Sequence, residues 1–415
     1  MSEATSCFLP ADILLPCGAD WEKWAVIACD QYTSQPEYWE KAAALAGSGL
    51  SALNLVYPEV YLGEGGARTE RICAAMRDYL DRGVLLEAVR GGYILVERET
   101  EHGTRLGLIG VIDLEAYDFT PGARARIRAT EGTVLSRIPP RVRIRENAAL
   151  ECPHVMLLLD DAKSELIEPI AARSAELRKL YDFDLMLDGG HVRGYAVEGE
   201  MAAEVSRMIR AMEAERGDFF LAAGDGNHSL ATAKTCWENI KAKLSADEAK
   251  RHPARYTLVE VVNLHDESLV FEPIHRIVCG AELNSLTAEF RSYLELEGMA
   301  AASSGDVVFF DARGGREALS ICGLNGRLPV DVLQRFLDGF IARNPAFSID
   351  YIHGAESVAE LVRDRGAVGI LLNSIDKHAL FPAIAAGGAL PRKTFSIGEA
   401  DEKRFYIECR RIEVR

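Results

Sequence analysis

The sequence predicts an α+β fold, with mixed sheets, flanking helices and a smaller C-terminal α/β part. Three observations predict it. Apolar runs rich in β-branched residues interleave with helix-period segments, without the strict rhythm of a doubly wound sheet. Two of those runs flank Glu101-His102-Gly103-Thr104, a hairpin signature. At 415 residues the chain exceeds one small core, and two or three domains are expected.

In chain order, Trp24 to Cys29 reads as a short buried strand. The polar loop Cys29–Pro36 comes next, either lining a pocket or serving as a Ser34-capped entry to a helix over Pro36–Ala46. A second helix covers 70–80 and stops before Gly83. Tyr93–Arg98 and Arg105–Leu114 form the hairpin, and His154–Leu159 is another strand. A helical pattern over 165–181 leads to a turn through Asp182, Asp184 and Asp188. The amphipathic helix 201–215 precedes a strand over 219–223, and a helix opens near Ser229. Strands at 256–264 and 269–278 come after it. From about residue 282 the units shorten: helices at 283–297, 329–341 and 357–365, and strands at 306–310, 319–322 and 368–373. A soft domain boundary is placed near residue 281, giving an N-terminal domain 1–281 and a C-terminal domain 282–415.

Composition narrows function. A formal charge of −16 disfavours nucleic-acid partners, whose affinity rests on phosphate neutralisation, but leaves room for a local basic pocket. Nine scattered cysteines contain no Cys-x-x-Cys pair, which argues against a zinc ribbon or a thiol-redox site. The start of the chain lacks the basic, apolar pattern of a signal peptide, and the longest apolar runs suit strands, not membrane spans. A cytoplasmic protein with a small-molecule substrate and no membrane partner is expected.

The most informative segment is Gly224-Asp225-Gly226-Asn227-His228-Ser229, running from the end of a buried strand into a helix. The glycines permit a tight turn with close backbone approach. Helix-start amides lack intrahelical partners and favour anions. A lone Gly-Asp-Gly is most often an ordinary turn; Asp, Asn and His within four positions shift the reading toward a phosphate cradle.

Four other segments carry reactive groups. One is the Cys29–Pro36 loop. Another is Arg124 to Arg145, with seven arginines over twenty-two positions around Glu131, a local inversion of charge suited to phosphate or carboxylate, or else a solvated basic face. A third is His265-Asp266 with His275-Arg276 beyond the next strand, where the His-Asp pair could orient each other. The last, Asp182, Asp184, Asp188 and His191 around Gly189-Gly190, offers oxygens to a cation or is simply a turn. No Walker loop, nucleophile elbow or kinase catalytic loop occurs.

These motifs resemble the domain-of-unknown-function 1015 family along nearly the whole chain. Asp225-Gly226-Asn227-His228-Ser229 stands where the family has Asp-Gly-His-His-Arg, and Arg128 to Thr133 is similar to its basic, Glu- and Thr-containing segment. Phe271 to Arg276 resembles a Pro-Thr-His-Arg element, and Leu390-Pro391-Arg392-Lys393-Thr394 a Met-Pro-Pro-Lys-Ser/Thr motif. The turn also resembles that of the ParB/sulfiredoxin-like superfamily, which includes an ADP-dependent free-serine kinase. The resemblance implies a ParB/sulfiredoxin-like element around the turn and a nucleotide-phosphate pocket for ADP or ATP with magnesium. In it, Gly224, Gly226, Asn227, Ser229, His275 and Arg276 bind phosphate, and Glu131, Asp225 and His228 are catalytic, with Glu131 or Asp225 as base or magnesium ligand. Asn227 and Ser229 depart from the family pattern; Arg128, Lys234 or Lys393 would replace the lost arginine. No residue is assigned as a resident metal site.

The expected function is therefore phosphotransfer to a small hydroxylated metabolite, with serine and phosphoserine leading by superfamily analogy. The rivals are a non-catalytic nucleotide sensor or scaffold, and a metal-dependent hydrolase centred on Asp182, Asp184, His191 and Asp225.

Overall fold

The computed structural model describes residues 6–414, apart from 30, 31, 33, 34, 65, 121, 134, 136, 137 and 392. Most of the polar loop after Cys29, including the proposed Ser34 cap, lies outside the described residues, as do Arg137 and Arg392. The chain divides into two compact units. The first comprises residues 1–129, 133–270 and 399–415; the second comprises 130–132 and 271–398. The division thus falls at 270/271, not near 281, and the last seventeen or so residues return to the first unit. The reason is local: the strand Phe271–Cys279 pairs with Ser348–His353, Val368–Leu372 and Phe395–Ile397, so it belongs with the strands C-terminal to it.

The first unit is built on a mixed sheet. Its main path runs Arg178–Asp184, His191–Val197, Leu85–Thr100, Gly103–Asp113, Tyr256–Asn263, Met156–Leu159, Leu221–Asp225, Ile127–Ala129, Tyr117–Asp118. The hairpin of Leu85–Thr100 and Gly103–Asp113 forms as its turn predicted, with Thr100 opposite Gly103. It is buried on both faces, which explains its unbroken apolar runs. Ile94, Val96, Ile109 and Val111 enter one core cluster, and Tyr93, Leu95, Leu108 and Ile112 the other. On one side lie the helices Gly199–Arg216 and Asn227–Lys241, which bury Val205, Ile209, Leu230 and Trp237. The other side takes Trp39 from Pro36–Ala46 and Ile72 and Met76 from Gly66–Asp81. Each such large apolar side chain stabilises the fold by roughly 1.5–3 kcal/mol.

The second unit has its own sheet, ordered Arg316–Cys322, Ala300–Phe310, Val368–Leu372, Phe271–Cys279, Ser348–His353. Its pairings are antiparallel. Phe290 of Leu283–Leu296 packs on Phe309 and on Phe336 of Pro329–Arg343. No helix among the described residues is long and apolar enough to cross a membrane.

One element differs in kind from the sequence reading. The span 165–181 is not one helix: Ile167–Ala171 is a short helix, and Arg178–Asp184 is a strand. In Arg178–Asp184 buried Tyr181 and Phe183 alternate with exposed Asp182 and Asp184, a two-residue period hidden by the helical pattern upstream. Asp182 and Asp184 are therefore strand residues, not turn residues.

Candidate functional site

The strand Leu221–Asp225 runs between Met156–Leu159, antiparallel, and Ile127–Ala129, parallel. An interior position demands apolar side chains, and Leu221, Ala222 and Ala223 are fully buried. The register shifts between Ala223 and Asp225, releasing the chain from the ladder. Gly226 then takes φ +78°, the left-handed conformation that other residues adopt only at a cost. A β-carbon there would lie 3.1 Å from Val155 Cα and 3.5 Å from His154 Nε2. Glycine is needed twice over, for its dihedral and for the close approach of the neighbouring strand. The helix Asn227–Lys241 opens directly after it, and Gly226, its N-cap residue, has no side chain to cap it.

Asp225 caps this turn from below. Its Oδ1 accepts the Gly226 N–H at 2.7 Å, and its Oδ2 lies 3.6 Å from Lys403 Nζ. Burial alone would raise its pKa; Lys403 first, then His154 and the Gly226 amide, outweigh burial and hold it below the usual carboxylate value. His154 is itself buried, with Nδ1 2.9 Å from the Tyr406 hydroxyl. That hydroxyl accepts the Cys29 N–H at 3.2 Å.

Lys403 and Tyr406 arrive from the far end of the chain because their segment is clamped. Arg404 pairs with Glu260 at 2.6 Å and Glu408 at 2.7 Å, and donates to the Pro153 carbonyl at 2.9 Å. Phe405–Tyr406 pairs antiparallel with Val26–Ile27. Sequence reasoning missed His154, Lys403 and Tyr406. The four charges Asp401-Glu402-Lys403-Arg404 look like a solvated run, yet Glu402, Lys403 and Arg404 are buried.

The remaining expected site residues are placed variously. Ser229 and His228 stand in the first turn of the helix, half-buried, and the His228 carbonyl accepts from Thr232. Lys234 is not directed at the turn: its ammonium donates to the Leu114 carbonyl at 2.9 Å and pairs with Glu238 at 2.7 Å. Arg128 sits opposite Ala222, and its guanidinium bonds the carbonyls of Ala125 and Asp218 over the Phe219 ring. Ala125 and Asp218 precede the paired strands, so this guanidinium points toward the end away from Gly226.

Glu131, His275, Arg276 and Lys393 belong to the second unit. Arg276, expected to hold phosphate, is fully buried and committed internally. It donates to the carbonyl of Ile274, to Gln334 Oε1 at 3.3 Å and to the Lys393 carbonyl at 2.9 Å, over the Tyr351 ring. Burial pushes its pKa down to about 10. Glu131 Oε1 accepts the Thr394 N–H at 3.2 Å, and Thr130 and Gly132 bond the backbone of Leu390. Lys393 is exposed at φ +60°. Together these residues fasten the 390–394 loop. His275 Nδ1 accepts the Leu372 N–H at 3.2 Å, and burial pushes its pKa down, so the ring is neutral.

The hydrolase constellation does not assemble. His191 is held by Asp184 at 2.6 Å and Asp182 at 2.7 Å, so both ring nitrogens are engaged. Asp225 is on a strand separated from His191–Val197 by four others in the sheet. Among the described residues, no group of three or more His, Cys, Asp or Glu is placed to hold a metal ion. His265 pairs with Asp160 at 2.7 Å, while Asp266 accepts from Ser268 and Leu106.

The class is thus an α+β protein whose long helix opens at an acidic glycine turn. Residues 16–331 match the family described as "Protein of unknown function (DUF1015)", and the chain belongs to that family. No curated protein matches it. Among solved structures it is similar to a free serine kinase in complex with AMP, with 10% identity over 72% of this chain and 90% of that one and a TM-score of 0.38. A conserved hypothetical protein from Pyrococcus furiosus shares 10% identity over the same fractions, at a TM-score of 0.34. SbnI with a C-terminal truncation, from Staphylococcus aureus, shares 8% over 70% and 82%, at 0.35.

Proposed function

We propose that the first unit binds a nucleotide phosphate at the Gly224–Ser229 turn and transfers a phosphoryl group between it and a small hydroxylated metabolite. ADP or ATP is the nucleotide, and serine with phosphoserine is the leading substrate pair. One observation carries the reading. Asp225 is kept ionised in a largely buried setting by Lys403, at a glycine turn opening a 15-residue helix.

The chemistry suits those parts. Phosphoryl transfer needs positioning and charge neutralisation more than strong base catalysis. A carboxylate of low pKa still orients a hydroxyl and takes its proton late, as it leaves. Helix-start dipoles and the Lys403 ammonium face the charge that develops on the phosphoryl oxygens. In this reading His228 and Ser229, in the first turn of the helix, contact the phosphoryl group. Magnesium binds through one or two protein carboxylates and leaves its other positions to phosphates and water. Asp225 would supply such a carboxylate, and the ion would add neutralising charge.

The test is a thermal-shift series with ADP, ATP and AMP, with and without magnesium, followed by assay of serine and phosphoserine turnover. Nucleotide-dependent stabilisation, lost in Asp225→Asn, together with turnover, is the expected result. Stabilisation without phosphoryl exchange on any substrate means a sensor, and no stabilisation by any nucleotide ends the proposal.

A further inference from the structure

Two cysteines from distant parts of the chain meet in the first unit. The C-terminal strand Arg410–Arg411 pairs antiparallel with Leu150–Glu151, Arg410 opposite Glu151 and Arg411 opposite Leu150. Extending that register by one residue sets Cys409 opposite Cys152. On its other side Cys409 is bridged to Leu14. Its N–H donates to the Leu14 carbonyl at 3.0 Å, and its carbonyl accepts the Leu14 N–H at 2.8 Å. Both backbone groups of Cys409 are therefore turned away from Cys152. The ladder on the Cys152 side is kept by alternate residues, and the Ile412 N–H donates to the Ala149 carbonyl at 3.1 Å. Cys409 and Cys152 thus form a non-hydrogen-bonded pair, in which Cα atoms lie about 4.5 Å apart and the side chains share one face. Disulfide-bonded cysteines usually have Cα atoms about 4.4–6.8 Å apart, so a bond here needs little backbone movement.

The neighbouring side chains follow the same register. Arg410 and Glu151, one step along, face the opposite way and pair at 2.7 Å. Cys409 and Cys152 both enter the core cluster that takes Leu14 and Leu150. Their thiols interact directly: after burial, the hydrogen bond with Cys152 is the largest influence raising the pKa of Cys409. Both are free thiols, Cys409 fully buried and Cys152 9% exposed. The segments they would join carry the turn's partners. Lys403 and Tyr406 of the same tail reach Asp225 and His154, and His154 lies two residues after Cys152.

We propose that Cys152 and Cys409 are a reversible disulfide site, closed by hydrogen peroxide, that staples the C-terminal tail to the first unit. The Cys152 thiolate, the more accessible sulfur, attacks one peroxide oxygen and the O–O bond breaks. Hydroxide leaves and is protonated to water, and Cys152 becomes a sulfenic acid. The Cys409 sulfur then gives up its proton and attacks the Cys152 sulfur. The S–O bond breaks, and the departing hydroxide takes that proton as water. Two electrons pass from the thiol pair to one peroxide, and a dithiol returns them. The pair is independent of the nucleotide reading. The competing account is two inert buried thiols that only fill the core.

The test uses the full chain carrying Cys17→Ser and Cys322→Ser, which removes the two exposed thiols. It is treated with hydrogen peroxide while folded, then alkylated in denaturant and digested. Mass spectrometry should find one peptide pair joined through Cys152 and Cys409, two hydrogens lighter than the reduced pair and separated by dithiothreitol. The oxidised protein should melt roughly 5–10 °C above the reduced one, since the bond closes a long loop in the unfolded chain. Cys152→Ala and Cys409→Ala should each lose both the cross-link and the shift. Should the fully buried Cys409→Ala fail to fold, Cys152→Ala alone serves as the control. Both thiols still open to alkylation after oxidation overturns the proposal and leaves the inert pair. A cross-link from either cysteine to a different one, a bond that forms only in urea, or one that lowers the melting temperature also overturns it. Each would mean that the native register does not present these two sulfurs to each other.

Discussion

The two units each bury a cation beside a segment singled out by its motif, and they use it in opposite ways. In the second unit, Arg276 is surrounded by neutral acceptors, and each interaction runs inward to Ile274, Gln334 or Lys393. It is a clasp. In the first, Lys403 faces the carboxylate of Asp225 at the mouth of a helix, and the pair keeps a half-buried acid charged. The same residue class thus builds a loop in one place and an electrostatic feature in the other. What separates them is the identity of the acceptors, not the depth of burial.

That contrast can be broken by mutation. Arg276→Ala carries the largest expected effect. Removing a fully buried guanidinium and orphaning its acceptors should cost the second unit about 3–5 kcal/mol, read as an early transition in urea unfolding. Nucleotide affinity of the folded protein should not change. If affinity falls while the urea profile stays put, Arg276 is a ligand contact and the comparison fails. Asp225→Asn should act in the converse way, lowering turnover by roughly a hundredfold to a thousandfold with little change in folding. A variant as active as the parent would make the turn architectural only.

A smaller effect concerns the clamp on the C-terminal segment. Glu151 lies between Arg410 at 2.7 Å and Arg145 at 2.6 Å. Burial would raise its pKa, but Arg410 and Arg145, with the Leu258 N–H, bring it down to about 2. A depressed carboxylate stabilises above its unfolded pKa of about 4.3 and loses that contribution as pH falls through the folded value. The expected contribution is about 3 kcal/mol at neutral pH, lost between about pH 4 and pH 2. Glu151→Gln should flatten this part of the stability profile; a profile identical to the parent's would remove Glu151 from the account. Smallest of all, Lys234→Met should cost under about 1 kcal/mol and leave nucleotide binding intact. A marked loss of affinity would return Lys234 to the phosphate site.

The sequence made the turn itself legible, because Gly-Asp-Gly before an alanine-rich helix has few structural solutions. Pro36–Ala46 and the hairpin were legible for the same reason, each carrying its own start or turn signal. The partners of Asp225 were not. His154 and Lys403 are separated from it by long stretches of chain, and a lone histidine or a charged run carries no local sign of burial. The charge run 401–404 carries no local sign of burial, because Glu260, which pairs with Arg404, is brought to it only by the fold. Arg128, in the arginine-rich segment, and Arg276, beyond it, suggested an anion site, whereas their guanidinium groups donate to carbonyl oxygens within the fold, backbone ones and that of the Gln334 side chain.

The central claim is that Lys403 and Asp225 act as one charged pair at an anion-binding turn. Calorimetric titration of ADP and ATP against the parent and Lys403→Met tests it most directly. The account predicts an affinity loss of roughly tenfold or more in the variant, the value of one charge-assisted contact to phosphate. Equal affinities in the two proteins would contradict it.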